Sequence, residues 1–119
     1  MKKILWASRH QLTQDQLAGL CRVCNCTEND LEITTVNQTF KSAAEIAEAA
    51  TGCDYLAVVL PVGLLSDLYA LIDEGQTILI PKSKRVLVDN PNGGEKIAQF
   101  VYDGWEVVEK VVYVSHIVK

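Results

Sequence analysis

Ser8, Arg9 and His10 stand together directly after a short apolar run, Ile4-Leu5-Trp6-Ala7. A guanidinium presents a planar fork of donors that matches phosphate oxygens, and an imidazole exchanges a proton near neutral pH. Side by side, Arg9 can hold a phosphate while His10 protonates a leaving oxygen, with Ser8 orienting the ligand. The same three side chains also serve as ordinary polar loop residues at the end of a sheet, so the reading turns on position. A second basic group, Lys82-Ser83-Lys84-Arg85, follows Thr77–Ile80; its plainer reading is a solvated connection between strands. Asn37, Gln38 and Thr39 follow a third run, where Asn and Thr are also common turn and cap residues.

Other chemistries find less support. The first loop has no Gly-x-Gly-x-x-Gly fingerprint and the chain has no Walker loop, which argues against ordinary NAD or ATP enzymes. No Gly-x-Ser-x-Gly elbow is present for serine catalysis. Cys21, Cys24 and Cys26, with Cys53 as a fourth, invite a zinc reading. A second pair at metal spacing is missing, and Cys21 and Cys24 share a helical face with Leu17 and Leu20, where cysteine acts as a small hydrophobe. The expectation is therefore structural thiols, no metal and no cofactor. His116 alternates with Val112, Val114 and Val118, which places it on an apolar strand face as a core or interface residue.

The elements that would position these groups can be traced along the chain. Ile4–Ala7 reads as a buried first strand. Thr13-Gln14-Asp15-Gln16 is a capping box opening a helix, with Leu12 and Leu17 spaced as a hydrophobic staple. Leu31–Val36 is a second strand. Ser42-Ala43-Ala44-Glu45 is a second capping box, and Gly52 a C-terminal stop. Residues 55–60 are apolar throughout, as in a strand covered on both faces. Leu64, Leu65, Leu68, Leu71 and Ile72 form a third helix ended by Gly75, and residues 77–80 a fourth strand. Alternating strand and helix yields a parallel sheet with helices on both faces. After residue 80 the pattern changes: Arg85–Val88, Ile97–Tyr102 and Trp105–Val118 read as strands, with Asp103-Gly104 as a hairpin turn. The expected fold is α/β and Rossmann-like: a four-stranded parallel core with an antiparallel C-terminal extension, forming one domain over residues 1–119. In open sheets of this kind ligands bind beyond the carboxyl ends of the strands. That rule nominates Ser8, Arg9, His10, Asn37, Thr39, Pro61-Val62-Gly63, Lys82, Ser83 and Lys84.

Composition bounds the partners. The 119 residues are 49% hydrophobic and 22% charged, enough to build a core that hides roughly two thirds of the unfolded surface. The net charge of −4 argues against broad binding to duplex nucleic acid or anionic membrane, which need a basic face. No apolar run approaches the roughly 18 residues of a membrane span, and Arg9-His10 ends the first one too early for a signal peptide. A cytoplasmic location with reduced cysteines is expected. The apolar C-terminal strand, as a sheet edge, predicts a homodimer.

An opening strand ending in Ser8-Arg9-His10, followed by Leu12, Thr13 and Gln16, and a later strand ending Val58-Val59-Leu60-Pro61 before a Leu-rich helix, resembles small standalone CRISPR-associated Rossmann-like proteins, the ring nucleases, and related uncharacterised bacterial and phage proteins. The likeness spans roughly residues 1–75. It implies a pocket lined by Ser8, Arg9 and His10 across a twofold dimer, and metal-independent cleavage of cyclic oligoadenylate by the RNA's own 2′-hydroxyl. Two other classes stay open: a non-catalytic ligand-sensing or protein-interaction module, and a phosphate-ester enzyme of another kind.

Overall fold

A computed structural model describes residues 1–112 and 114–119. Its elements are β1 (Lys2–Ala7), α1 (Gln14–Cys24), β2 (Leu31–Val36), α2 (Ala43–Ala49), β3 (Tyr55–Val58), α3 (Val62–Leu71), β4 (Thr77–Val88) and β5 (Ile97–Val108). They form one five-stranded sheet in the order β2-β1-β3-β4-β5. The pairs β1–β2, β1–β3 and β3–β4 are parallel, and β4–β5 is antiparallel.

Strand alternation sorts the core into two layers. Ile4 and Trp6 point with Leu20, Cys24, Ala57 and Leu79 toward α1. Leu5 points the other way, with Ile46, Leu56, Val58, Leu68 and Ile78, toward α2 and α3. Helices therefore cover both faces, giving the three-layer α/β architecture of a Rossmann-like fold. Among the described residues, no helix is long and apolar enough to cross a membrane.

Capping chemistry sets the helix starts. At α1 the Thr13 hydroxyl accepts from Gln16 N at 3.1 Å, and the Gln16 side chain accepts from Thr13 N at 3.0 Å, a complete capping box. At α2 the box is only half made. Ser42 accepts from Glu45 N, while the Glu45 carboxylate accepts from Lys41 N at 2.8 Å. The α2 helix ends at Ala49 and α3 at Leu71; Gly52 and Gly75 follow in turns at φ 84° and 95°.

The C-terminal third departs from the expected pattern. Residues 77–80 and 85–88 are not separate strands; β4 runs unbroken from Thr77 to Val88. Lys82, Ser83, Lys84 and Arg85 thus lie within a strand, not in a loop. Pro81, which lacks an N–H, is accommodated by a bulge between Pro81 and Ser83. Asp103-Gly104 is likewise no hairpin turn. It lies inside β5 opposite that irregularity, where Gly104 takes φ 100°. The hairpin turns through residues 89–96, where the Asn90-Pro91-Asn92-Gly93-Gly94 cluster reads as a turn in the sequence. The expected strand Trp105–Val118 stops at Val108; the described residues beyond it are not strand, Tyr113 lies outside the described residues, and His116 is exposed. It is β5, through residues 97–108, that forms the edge.

β4 pairs with β3 only at Thr77–Leu79, then continues with β5 alone. At about 3.3 Å per residue, Pro81–Val88 carries this two-stranded ribbon roughly 26 Å further. A compact chain of this length has a radius of gyration of about 13.5 Å, whereas this one has 16.7 Å.

Candidate functional site

The strand order places the site. From β1 the chain crosses to β2 on one side and then to β3 on the other, so the carboxyl ends of β1 and β3 flank a point where the winding direction reverses. Ligand crevices of open α/β sheets form at such points. Here a cavity of about 290 Å³ is lined by Ala7, Ser8, Arg9 and His10 after β1, Gln38, Thr39 and Phe40 after β2, and Val59 and Leu60 after β3.

The loop after β1 is held by its own chemistry. Trp6, buried in the core, donates its indole N–H to His10 O at 2.8 Å. The Ser8 hydroxyl accepts from His10 N at 3.1 Å, closing a tight turn. Arg9 reaches across the cavity and donates to Thr39 Oγ1. The Arg9 and His10 side chains stay exposed while Ser8 is half-buried. The loop therefore presents a guanidinium and an imidazole from a fixed backbone.

A second cavity, of about 510 Å³, adjoins the first. It is lined by Thr13, Asp15 and Gln16 of the α1 start, Pro81, Lys82 and Ser83 of β4, and Phe100, Val101 and Tyr102 of β5. Val59 lines both. Sequence reasoning brought the two basic groups to one mouth; the structure divides them. Ser8, Arg9, His10 and Thr39 share the switch-point cavity, and Lys82 and Ser83 line its neighbour. Lys84 lines neither. Lys82 is neutralised by Glu106, at 3.4 Å, because β4 and β5 are paired there. Asn37, exposed at the end of β2, does not line the cavity, whereas Gln38 does. The α1 start borders the second cavity and not the first.

Phe40, Val59 and Leu60 were not expected to line the site. Val59 and Leu60 read as strand because they continue an apolar run, yet β3 ends at Val58 and Val59 is 63% exposed. Pro61-Val62-Gly63, nominated as the third loop, instead forms the N-cap and first turn of α3.

The cysteines are free thiols. Cys24 is buried and Cys21 only half-buried, so the α1 core face is narrower than the expected Leu17-Leu20-Cys21-Cys24 stripe. Burial pushes the Cys24 thiol above its ordinary range, and the neighbouring Tyr55 hydroxyl pulls partly against it. Trp105 crosses Trp6 edge-to-face at 5.9 Å and donates its indole N–H to Gln16 O at 2.9 Å. This aromatic pair ties β5 to the strand that carries the site loop.

Protein-family models, curated proteins and solved structures were compared with the chain, and nothing matches. The fold and site define a class: a small Rossmann-like α/β protein with a cationic, imidazole-bearing cavity at its β1/β3 switch point.

Proposed function

We propose that the switch-point cavity binds a phosphate-bearing nucleotide, with cyclic oligoadenylate as the ligand class, and opens the ring in the manner of a ring nuclease. One observation carries this reading: Arg9 and His10 project from a braced turn at the β1/β3 reversal point, where this architecture takes its ligands. Arg9 holds the non-bridging oxygens through charge-assisted hydrogen bonds. The ligand's O2′ bonds to the adjacent phosphorus as its proton passes to solvent. The bond from phosphorus to O5′ breaks, and His10 gives its proton to the departing oxygen. The product is a linear oligoadenylate ending in a 2′,3′-cyclic phosphate, and the protein contributes alignment and charge stabilisation. The reading includes a cytoplasmic homodimer with no resident metal or cofactor, and no duplex nucleic acid or membrane as partner.

The binding-only alternative draws on a different observation. Arg9 already has a partner in Thr39, and ligand binding that exchanges that bond would serve a sensor without any turnover. Wild type, Arg9→Ala and His10→Ala, assayed on cyclic and linear oligoadenylates at substoichiometric enzyme, separate the two. Turnover by wild type, weaker binding by Arg9→Ala and slower cleavage with retained binding by His10→Ala are expected. Binding without turnover supports the sensor, and neither binding nor cleavage removes the nucleotide reading.

A further inference from the structure

The β4–β5 ribbon has a face that α1 covers only at its base. Cross-strand partners share a face, so the register orders it from base to tip as Pro81/Trp105, Ser83/Tyr102, Arg85/Phe100 and Leu87/Ala98. Asp89 and Lys96 come next and form an ion pair at 3.9 Å. Trp105 and Tyr102 lie against Gly19 of α1. Beyond them Phe100 is 72% and Leu87 61% exposed, so the apolar face continues past its cover.

From this face we infer that the ribbon is the dimer interface, and that its occupant is the same ribbon of a second copy, packed face to face and running base to tip in the opposite direction. The cover of α1 at the base and the charges beyond it together favour this arrangement. With the twofold axis at Leu87 and Ala98, each of these residues meets its own copy. Arg85 lies two residues toward the base and Asp89 two toward the tip, so Arg85 of each copy faces Asp89 of the other. On the second strand Phe100 and Lys96 are placed symmetrically about Ala98, so each ring receives an ammonium group, a cation–π contact. A dimer twofold requires such a self-complementary patch. The ribbon running the same way would set the α1 helices, which cover the base of this face in each copy, against one another and hold the exposed halves apart.

The arrangement has a consequence for the site. Counting from Leu87, the other copy's turn, residues 90–95, falls level with Ser83 and Tyr102. Those residues line the 510 Å³ cavity beside the switch point. Each copy's turn thus caps the other's cavity against the first turn of α1, and the mouth is complete only in the dimer. This inference rests on the homodimer of the proposed function and is independent of its nucleotide chemistry, which the oligoadenylate assays test separately.

Charge reversal tests it. Analytical ultracentrifugation of wild type should give twice the 13.1 kDa chain mass. Arg85→Asp alone and Asp89→Arg alone should each weaken the dimer by roughly tenfold or more, since the twofold makes every charge contact twice. The double variant Arg85→Asp/Asp89→Arg should recover most of that loss, because both contacts are then reversed together. Leu87→Asp, which places like charges on the axis, should yield monomer with an unchanged circular dichroism spectrum. A monomeric wild type, a dimer indifferent to Leu87→Asp, or a double variant no better than the singles would each overturn the arrangement.

Discussion

Gly19 is the position where one added methyl group should be felt across the whole α1 layer. It is a buried glycine inside a helix, where alanine would normally gain about 1 kcal/mol. A Cβ built there overlaps Tyr102 Oη outright and comes within 2.8 Å of Trp105 Cδ1 and 2.9 Å of Tyr102 Cζ. The Trp105 ring cannot simply step aside. Trp105 is held by its 2.9 Å hydrogen bond to Gln16 O and by its edge contact with Trp6. Relieving such overpacking costs about 1–3 kcal/mol, and losing the Trp105 bond adds about 1 kcal/mol. Against the helix-propensity gain, Gly19→Ala should lose about 1–3 kcal/mol net. In a chain of this size a 2 kcal/mol loss lowers Tm by roughly 8 °C. Urea unfolding of wild type, Gly19→Ala and Gly19→Ala/Tyr102→Phe measures it. The double variant should recover part of the loss, since Phe removes the oxygen that overlaps first. A Gly19→Ala protein as stable as wild type, or more so, would refute the close approach of β5 to α1.

Arg9→Ala should weaken phosphate-ligand binding by about 1–3 kcal/mol, read by calorimetry, and His10→Ala should slow turnover by roughly 10²–10⁴-fold with little change in affinity. Thr13→Ala should cost about 0.5–2 kcal/mol in urea unfolding, because it removes the acceptor of the α1 capping box. The folded state holds the Cys24 proton more tightly than the unfolded chain does. Its contribution to stability is therefore complete below the ordinary thiol range of about 8.5 and falls as pH rises past it. Cys24→Ala should flatten that alkaline loss in unfolding measured across the range.

The parallel half of the fold was legible because its local signals agree. Capping residues, helical stripes and apolar strands alternate from Ile4 to Ile80, and burial on both faces leaves little freedom of register. The C-terminal third misleads for a physical reason. Pro81 and Gly104 read as strand breakers, yet Pro81 pairs with Trp105, the neighbour of Gly104, in one long ribbon, where a bulge absorbs both the missing N–H and the positive φ. Val111 onward reads as strand by composition, but composition does not supply a partner, and β5 finds β4 only as far as Val108.

The same asymmetry explains what was legible in the site. Ser8, Arg9 and His10 follow a strand whose end is marked in the sequence, and the structure puts all three in one cavity. Lys82 and Lys84 were assigned on the assumption that their strand ended at Ile80. Because it continues, Lys82 turns to Glu106 and Lys84 is carried up the ribbon. Strand order decides the rest. Only once β1 is seen between β2 and β3 do Phe40 and Leu60, distant in sequence, join Thr39 around Arg9. Trp6 reads as a core aromatic, and it is one, but its indole also carries the hydrogen bond that fixes His10 O. Core packing and site geometry therefore meet in a single side chain. Through Trp105 they extend to β5, so the ribbon that is inferred to hold two copies together also braces the loop inferred to hold the ligand.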